Sequence, residues 1–302
     1  MLDILTRAGC FVAIILLGHL LRRTGVFGPE TFGVISKIVM KITLPAALIS
    51  SAAGKPIDAS MLSIALLGLV GGLIYIAAGW LLQRRGSKSE KAFYIQNIPG
   101  YNIGTFALPF TQSFLGPVGV LTTSIFDLGN AIICFGGSFC IAQSIKEGVK
   151  ADFRRVAKTA ITSLPFLTHL VMILLNLNSL IPPKPILTLA EILGGGNACL
   201  AMLMIGVGIQ ISLDKSKVGT MVKILTARFG IAAVLALCYY YLLPFSLEIR
   251  QTLAILAFAP IGSTIPVFTA ELKEDVGLSS TINSIAIVIS IVIIVTLLTV
   301  ML

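Results

Sequence analysis

Two apolar stretches of the sequence, 92–114 and 249–270, are interrupted by prolines, glycines and small polar residues. A proline removes one backbone donor and clashes with the carbonyl four residues before it, so nearby N–H and C=O groups lose their helical partners. In a bilayer such groups persist only beside protein, water or ligand, and the positive end of a half-helix there can hold an anionic group. The sequence therefore predicts an anion-binding site at the two interruptions. Its candidate residues are Asn102, Gly104, Pro109, Pro260, Gly262, Ser263 and Pro266.

An acidic residue within an apolar run is a second candidate for chemistry. Asp127 lies in the fifth such run, with Asn130 three residues later on the same helical face. Ionisable residues inside membrane spans are expected to be functional, so this pair could carry a coupling proton or bind a coupling cation such as sodium. The structural alternative is that Asp127 neutralises a buried base, with Lys41 and Arg228 as the candidates.

Four other polar residues have a structural and a functional interpretation. Lys41, within the second apolar run, could extend to the membrane surface or attract substrate. Asn197 follows three glycines and could bind a ligand or permit a close helix approach. His19 and His169 each lie near one end of an apolar run, which is typical of hydrogen-bonded structural histidines.

The composition identifies the elements that position these residues. Of the 302 residues, 56% are apolar and 12% are charged, whereas soluble domains contain about 25% charged residues. A membrane-spanning helix needs about 20 residues, and the sequence lacks strand-like alternation. An all-α polytopic membrane protein with ten transmembrane helices is therefore predicted. The predicted spans are 4–22, 32–53, 60–83, 92–114, 117–143, 158–178, 186–211, 221–243, 249–270 and 278–301.

The distribution of basic residues predicts the orientation of these spans. Fifteen lysines and arginines lie in the loops after the odd-numbered spans, and four lie on the opposite side. Because cytoplasmic loops are enriched in basic residues, both termini are predicted to lie outside a cell membrane, the inner one in a bacterium. The net charge of +9 is therefore attributed to membrane topology, and no nucleic-acid partner is expected.

The five cysteines do not suggest a metal site. All lie in apolar runs, without a CxxC pair or another ligand spacing. The sequence contains no HExxH motif either. We therefore expect no disulfide framework, metal or cofactor.

Self-comparison of the chain indicates an internal repeat. Leu108-Pro109-Phe110 matches Ile265-Pro266-Val267 at a shift of 157 residues, and the segments beginning at Gly119 and Gly277 match at 158. The predicted halves are 1–150 and 151–302, each with five spans. An odd number of spans in each half implies inverted repeats, as in secondary transporters. Matching interruptions in helices 4 and 9 favour a binding site over two merely kinked helices.

The motifs at these positions resemble those of a known family. Asn102-Ile103-Gly104 leading to Pro109, and the run from Ala259 to Phe268, are similar to the fourth and ninth spans of the auxin efflux carrier family. Leu44-Pro45-Ala46-Ala47-Leu48 and the stretch 197–208 also resemble that family. The resemblance implies two inverted five-helix repeats in which broken helices 4 and 9 cross. It also implies a homodimer-forming scaffold of helices 1, 2, 6 and 7, and a transport domain of helices 3–5 and 8–10.

The same resemblance implies an activity. Family members carry small organic anions, including auxin in plants and malate- or malonate-like acids in bacteria, and an elevator-type mechanism follows from the implied fold. Because the long hydrophilic loop of many plant members is missing, a bacterial-type member is expected. Span three also lacks the acidic residue of plant auxin exporters, which argues against auxin itself as the substrate and against the plant coupling scheme. A sodium-coupled carrier of the bile-acid type and a passive anion channel are the alternatives. An intramembrane hydrolase using Ser138 and His169 is disfavoured, because no GxSxG motif is present, and no enzyme activity is expected.

Overall fold

The computed structural model of the protein describes residues 2–55, 57–212 and 214–302, and over these residues the fold is all-helical. Its α-helices, numbered along the chain, are α1 (Leu2–Arg23), α2 (Thr31–Ile38), α3 (Leu44–Ala52), α4 (Ser63–Leu82), α5 (Lys88–Asn97), α6 (Leu108–Phe114), α7 (Gly116–Ile132), α8 (Ser138–Glu147), α9 (Arg154–Thr162), α10 (Leu164–Leu177), α11 (Lys184–Gly195), α12 (Asn197–Gly208), α13 (Val218–Leu242), α14 (Leu247–Ala257), α15 (Ile265–Glu271) and α16 (Val276–Met301). Three π-helical segments, Val39–Thr43, Ile103–Ala107 and Ile133–Gly137, join consecutive α-helices or lead into one.

The lengths and compositions of these helices confirm a polytopic membrane protein. Within the described residues, seven helical segments are long and apolar enough to cross a membrane, or eight when the bent pair α9–α10 is counted as one. The bend is 74° and lies at Ser163, whose extended backbone precedes Pro165 in the first turn of α10. The chain is thus already helical from Arg154, within the stretch predicted as a loop.

The two remaining predicted spans are interrupted. Helix α5 ends at Asn97 and helical structure resumes at Ile103, while α14 ends at Ala257 and α15 begins at Ile265. Pro109 and Pro266 lie in the first turns of α6 and α15, where a missing N–H is tolerated. The residues of the interruptions are therefore 98–102 and 258–264. The arrangement of ten spans as two inverted repeats stays a prediction.

Glycines set the closest helix contacts. A Cβ atom on Gly206 of α12 would lie 2.0 Å from the Ile15 carbonyl oxygen of α1. A Cβ atom on Gly129 of α7 would lie 1.8 Å from the Ala65 carbonyl oxygen of α4. Small residues allow this backbone approach in membrane bundles, so these positions fix how the two helix pairs pack.

Ion pairs join three connecting segments at one end of the bundle. Arg155 pairs with Glu271 at 2.7 Å, Lys146 with Glu274, and Lys217 with Asp275. Glu271 is the last residue of α15, and Glu274 and Asp275 follow it. The bases are Lys146 in α8, Arg155 in α9 and Lys217 between α12 and α13. The loops predicted to be cytoplasmic after spans five, seven and nine therefore lie at the same end of the bundle.

Candidate functional site

The two interruptions are in direct contact. The backbone N–H of Asn102 donates to the carbonyl of Pro260 over 2.8 Å. The Asn130 side chain holds the first interruption, because it accepts from the Tyr101 N–H and donates to the Tyr101 carbonyl, both over 2.9 Å. The second interruption is held by Asn283 of α16, which donates to the Gly262 carbonyl over 3.0 Å. Side-chain amides therefore replace the helical partners that the interruptions lose.

A buried arginine joins the same two interruptions from the side. Arg228 of α13 is fully buried and donates to the Ile98 carbonyl over 3.0 Å and to the Ala259 carbonyl over 2.7 Å. Its guanidinium lies 4.1 Å from the ring centre of Tyr75 and 4.7 Å from that of Tyr101. Ile98 directly follows α5 and Ala259 lies two residues after α14, so the cation stabilises the negative ends of both helices. Arg228 is therefore paired with backbone carbonyls. It is not the buried base that Asp127 neutralises.

Polar groups at the second interruption remain unpaired. The backbone N–H groups of Gly262, Ser263 and Thr264 find no acceptor among the described residues. Beside them, Asn102 accepts from the Thr105 hydroxyl over 2.5 Å, while its amide nitrogen has no acceptor in the described part of the chain. Free N–H donors on both sides of the contact can bind the oxygens of an anion.

Two clefts meet at this contact, and Asn102 and Ser263 line both of them. The first cleft extends along α7 toward the beginning of α10. The second cleft lies between the ends of α1 and α12 and the beginnings of α15 and α16. A ligand placed between Asn102 and Ser263 is thus accessible from either cleft.

The two clefts differ in charge. Among the described residues, Asp127 is the one charged side chain that lines the first cleft, and Arg22 is the one that lines the second. Arg22, in the last turn of α1, has no ion-pair partner within the described residues and is partly buried. The second cleft is therefore suited to an anion and the first to a positive charge.

Asp127 contacts an amide and an imidazole. Its Oδ1 accepts from Asn130 Nδ2 over 2.8 Å, and its Oδ2 lies 3.5 Å from Nε2 of His169 on α10. The second distance exceeds a normal hydrogen bond, and in the described structure neither ring nitrogen of His169 has a hydrogen-bond partner. His169 is 2% exposed, so its ring is buried beside a carboxylate without being satisfied.

The structure brings together most of the residues predicted from the sequence. Asn102, Gly104, Gly262, Ser263, Asp127 and Asn130 line the first cleft, and Asn102, Ser263 and Pro266 line the second. Pro109 is buried in α6, and Pro260 contributes its carbonyl to Asn102. Neither proline lines a cleft.

Lys41 and Asn197 are not brought to the clefts. Lys41 is exposed on the surface of the bundle. Asn197 is fully buried, accepts from the Thr43 hydroxyl over 3.0 Å and faces Gln112 at 3.5 Å. Its contacts are those of a residue that joins helices.

Sequence reasoning missed three residues of the site. Arg22 was explained by membrane topology, because a base at the end of a span is expected there. His169 carried no local signal beyond being one of two histidines. Asn283 lies in a long apolar run. Its polar side chain was the one feature of the sequence that could have indicated a buried hydrogen-bond partner. Each acquires its role through a contact with a segment distant in the chain.

Comparisons with known proteins identify the family of the chain. The family model for membrane transport proteins, the auxin efflux carrier family, matches residues 10–163. An uncharacterized transporter of Methanothermobacter thermautotrophicus is 22% identical over 238 residues, which cover 78% of this chain and 77% of that protein. The matched residues include the first interruption, Asp127 and Arg22, and the chain belongs to the auxin efflux carrier family of membrane transport proteins.

Proposed function

We propose that the protein is a secondary transporter of a small organic anion, a carboxylate of the malate, malonate or auxin type. The observation that carries the proposal is the second cleft, where Arg22 is the one charged lining residue among those described and where Asn102 and Ser263 bring polar groups of both interruptions. A carboxylate oxygen accepts hydrogen bonds from N–H donors and is attracted by a guanidinium. The cleft offers both kinds of group.

The position of the clefts supports alternating access. We assign helices 1, 2, 6 and 7 of the proposed ten, which comprise α1–α3 and α9–α12, to a dimer-forming scaffold and the rest to a moving transport domain. The second cleft then lies between Arg22, Phe32 and Met204 of the scaffold and Ser263 and Asn283 of the transport domain. The first cleft likewise lies between Leu44 and Phe166 of the scaffold and Asp127 and Asn102 of the transport domain. A shift of one part along the other would carry a ligand bound at Asn102 between the two sides of the membrane.

In this scheme the described conformation is the inward-facing state of the transport cycle. The second cleft is lined by Arg22, Gln210 and Ser280, which lie at the ends of α1, α12 and α16 near the predicted cytoplasmic loops. In the proposed topology, with both termini outside a cell membrane, the site is open to the cytoplasm. Outward-facing access would require the transport domain to move relative to α1 and α12.

Counterflow in vesicles tests the proposal. Purified protein is reconstituted into liposomes preloaded with unlabelled malonate, malate or indole-3-acetate, and uptake of the same labelled acid is followed. We expect a saturable overshoot for at least one acid, because a carrier exchanges substrate across the membrane. Flux without counterflow for all three would indicate a channel and would contradict the proposal, as would the absence of flux.

Two adjacent arginines provide the matched comparison. Arg22 lines the second cleft, whereas Arg23 is exposed and lines neither cleft. Arg22→Gln should raise the half-saturating concentration about tenfold, equivalent to about 1.4 kcal/mol. Arg23→Gln should leave it unchanged. Equal effects of both substitutions would show that general surface charge, rather than the cleft, attracts the anion.

A further inference from the structure

His169 and Asp127 form a contact between two parts of the fold that the proposed transport cycle would separate. Asp127 belongs to α7 in the proposed transport domain, and His169 belongs to α10 in the proposed scaffold. Their facing atoms, Oδ2 and Nε2, are 3.5 Å apart. The contact lies beside the first cleft, since Asp127 lines it and its side chain is 20% exposed.

The neutral His169 ring carries one proton, on Nδ1 or on Nε2; with that proton on Nδ1, Nε2 is a bare acceptor that faces the Asp127 carboxylate. Within the described structure neither ring nitrogen has a hydrogen-bond partner, which is unfavourable for a buried imidazole. A proton on Nε2 would make this nitrogen a donor that faces the Asp127 carboxylate directly. A charge-assisted hydrogen bond of this kind is normally about 2.7–2.9 Å long, so a small approach of the two side chains would form it.

The chemistry of the neighbouring atoms favours a proton over a metal cation. The orientation of the Asn130 amide is determined by Tyr101, whose N–H donates to Oδ1 and whose carbonyl accepts from Nδ2. Asp127 therefore faces the nitrogen of this amide, and its other neighbour is an imidazole nitrogen. Sodium and calcium prefer several oxygen ligands, whereas these neighbours offer N–H donors and a basic nitrogen.

The surroundings contain few charges that could compete for this proton. Among the described helices packed on α10, α3 has no ionisable residue, α7 has Asp127, and α9 has Arg154, Arg155 and Lys158, of which Arg155 is paired with Glu271. The adjoining π-helical segment contributes the exposed Lys41. The ionisable residues of the elements packed on α7 are Tyr75, Cys134, Glu248, Arg250 and the three bases of α9.

We infer that Asp127 and His169 together bind one proton from the first cleft, and that binding of this proton is coupled to transport of the substrate carboxylate. The inference rests on the proposed function. The proton comes from solvent and binds to Nε2, so that the net charge of the pair changes from −1 to zero. When α7 separates from α10, the proton on Nε2 transfers to the Asp127 carboxylate, leaves with the transport domain as a neutral carboxylic acid and is released on the other side of the membrane, while His169 stays neutral. One proton carried with a monocarboxylate cancels the charge of the anion, so that the membrane potential no longer opposes its import into a negative compartment.

The first test does not require a transported substrate. Purified protein with isotope-labelled histidine is titrated between pH 5 and 9 by NMR, with His169→Gln used to assign the two histidine signals. We expect the pH dependence of the His169 signal to shift in Asp127→Asn, because Asp127 is the charged side chain that faces its Nε2. The pH dependence of the His19 signal should not change. A His169 titration that is identical in wild type and Asp127→Asn, or a His169 that stays neutral throughout, would overturn the inference.

The second test measures coupling. Uptake of labelled malonate, malate or indole-3-acetate into liposomes is compared with an imposed proton gradient, with an imposed sodium gradient and with neither. We expect the proton gradient alone to stimulate uptake several-fold in wild type and in His19→Gln, and not in His169→Gln or Asp127→Asn. Stimulation that persists in both of the latter variants, or stimulation by sodium alone, would overturn the inference. Absence of carrier-mediated uptake in wild type, together with the expected NMR result, would instead contradict the proposed function.

Discussion

The backbone N–H of Asn102 donates to the carbonyl of Pro260 over 2.8 Å, and this bond joins two helical interruptions that are far apart in the chain. Around it, Arg228, Asn130 and Asn283 donate to four carbonyls of the interruptions, and Asn130 also accepts from the Tyr101 N–H. Beside the clefts, N–H donors of both interruptions find no acceptor within the described residues. An apolar bundle can therefore contain a polar site without leaving carbonyl groups exposed to lipid.

Removal of the Arg228 side chain should destabilise the bundle. Arg228→Met leaves the carbonyls of Ile98 and Ala259 buried without donors, at about 1–3 kcal/mol each, so we expect a loss of about 2–6 kcal/mol. Arg250→Met removes a donor from the single carbonyl of Tyr240 and should have at most half this effect. Denaturation of the purified protein in detergent measures both. Equal stability of the two variants would mean that Arg228 does not support the interruptions.

Asn102 should contribute to affinity for the anion. Asn102→Ala removes the free amide donor at the junction of the clefts, and we expect about a tenfold loss of carboxylate affinity. Asn102→Asp should reduce affinity further, because it places a negative charge beside the anion. Asn178→Ala, which alters an exposed residue that donates to Leu174, serves as the control. Concentration-dependent counterflow measures all three, and wild-type affinity in Asn102→Asp would contradict the assignment.

Gly206 should be required for packing of α12 on α1. An alanine methyl group at this position would lie 2.0 Å from the Ile15 carbonyl oxygen, so the helices must move apart, at about 1–3 kcal/mol. Gly9→Ala in α1 introduces the same methyl group at a position where, within the described residues, no atom outside the adjoining backbone of α1 lies within 4 Å. We expect thermal denaturation to show a lower midpoint for Gly206→Ala and no decrease for Gly9→Ala. The same midpoint in both variants would show that the contact is looser than described.

The ion pair between Lys217 and Asp275 should give an acid-dependent contribution to stability. Partial burial of the Asp275 carboxyl would raise its pKa, but hydrogen bonds from Lys217 and the Leu278 N–H outweigh burial and hold the pKa below its ordinary value. A carboxyl with a lowered pKa in the folded state stabilises the protein above its unfolded pKa of about 3.9, and this contribution is lost as the pH falls through the folded value. Stability should therefore decline below about pH 4.

Asp275→Asn provides the comparison for this pH dependence. It retains a side-chain cap for α16 and removes the charge, so the decline in acid should become shallower than in wild type. Asp3→Asn alters an exposed pair in α1 and should leave the decline unchanged. Midpoints of thermal denaturation between pH 3 and 7 measure the difference. Parallel curves for wild type and Asp275→Asn would contradict the predicted contribution.

Hydropathy and proline positions were sufficient to predict the general fold. Long apolar runs predict membrane helices because each helix satisfies its own backbone hydrogen bonds. Prolines and glycines in 92–114 and 249–270 predicted that these segments would be interrupted, since the responsible sterics are local. The interruptions nonetheless lie before Pro109 and Pro266, because these two prolines begin helices.

Partners across the fold could not be predicted in this way. Arg228 contacts Ile98 and Ala259, and His169 faces Asp127, through packing of helices whose order in space is not encoded in any local pattern. The sequence left Asp127 with two candidate bases, and the structure supplies a histidine instead. Arg22 was correctly placed at the end of a span, but its position in a cleft depends on how α1 packs beside α16.

The most direct test of the central claim is protection of Ser263 by substrate. A cysteine is introduced at Ser263, which lines both clefts, in protein whose five native cysteines are replaced by alanine. A water-soluble thiol reagent is applied with and without the carboxylate that shows counterflow. We predict that this carboxylate slows the modification of Ser263→Cys in proportion to its occupancy, and that it does not slow modification of a cysteine at the exposed Ser60. Equal rates of modification at Ser263→Cys with and without saturating carboxylate would contradict binding of the anion at the contact between the two interruptions.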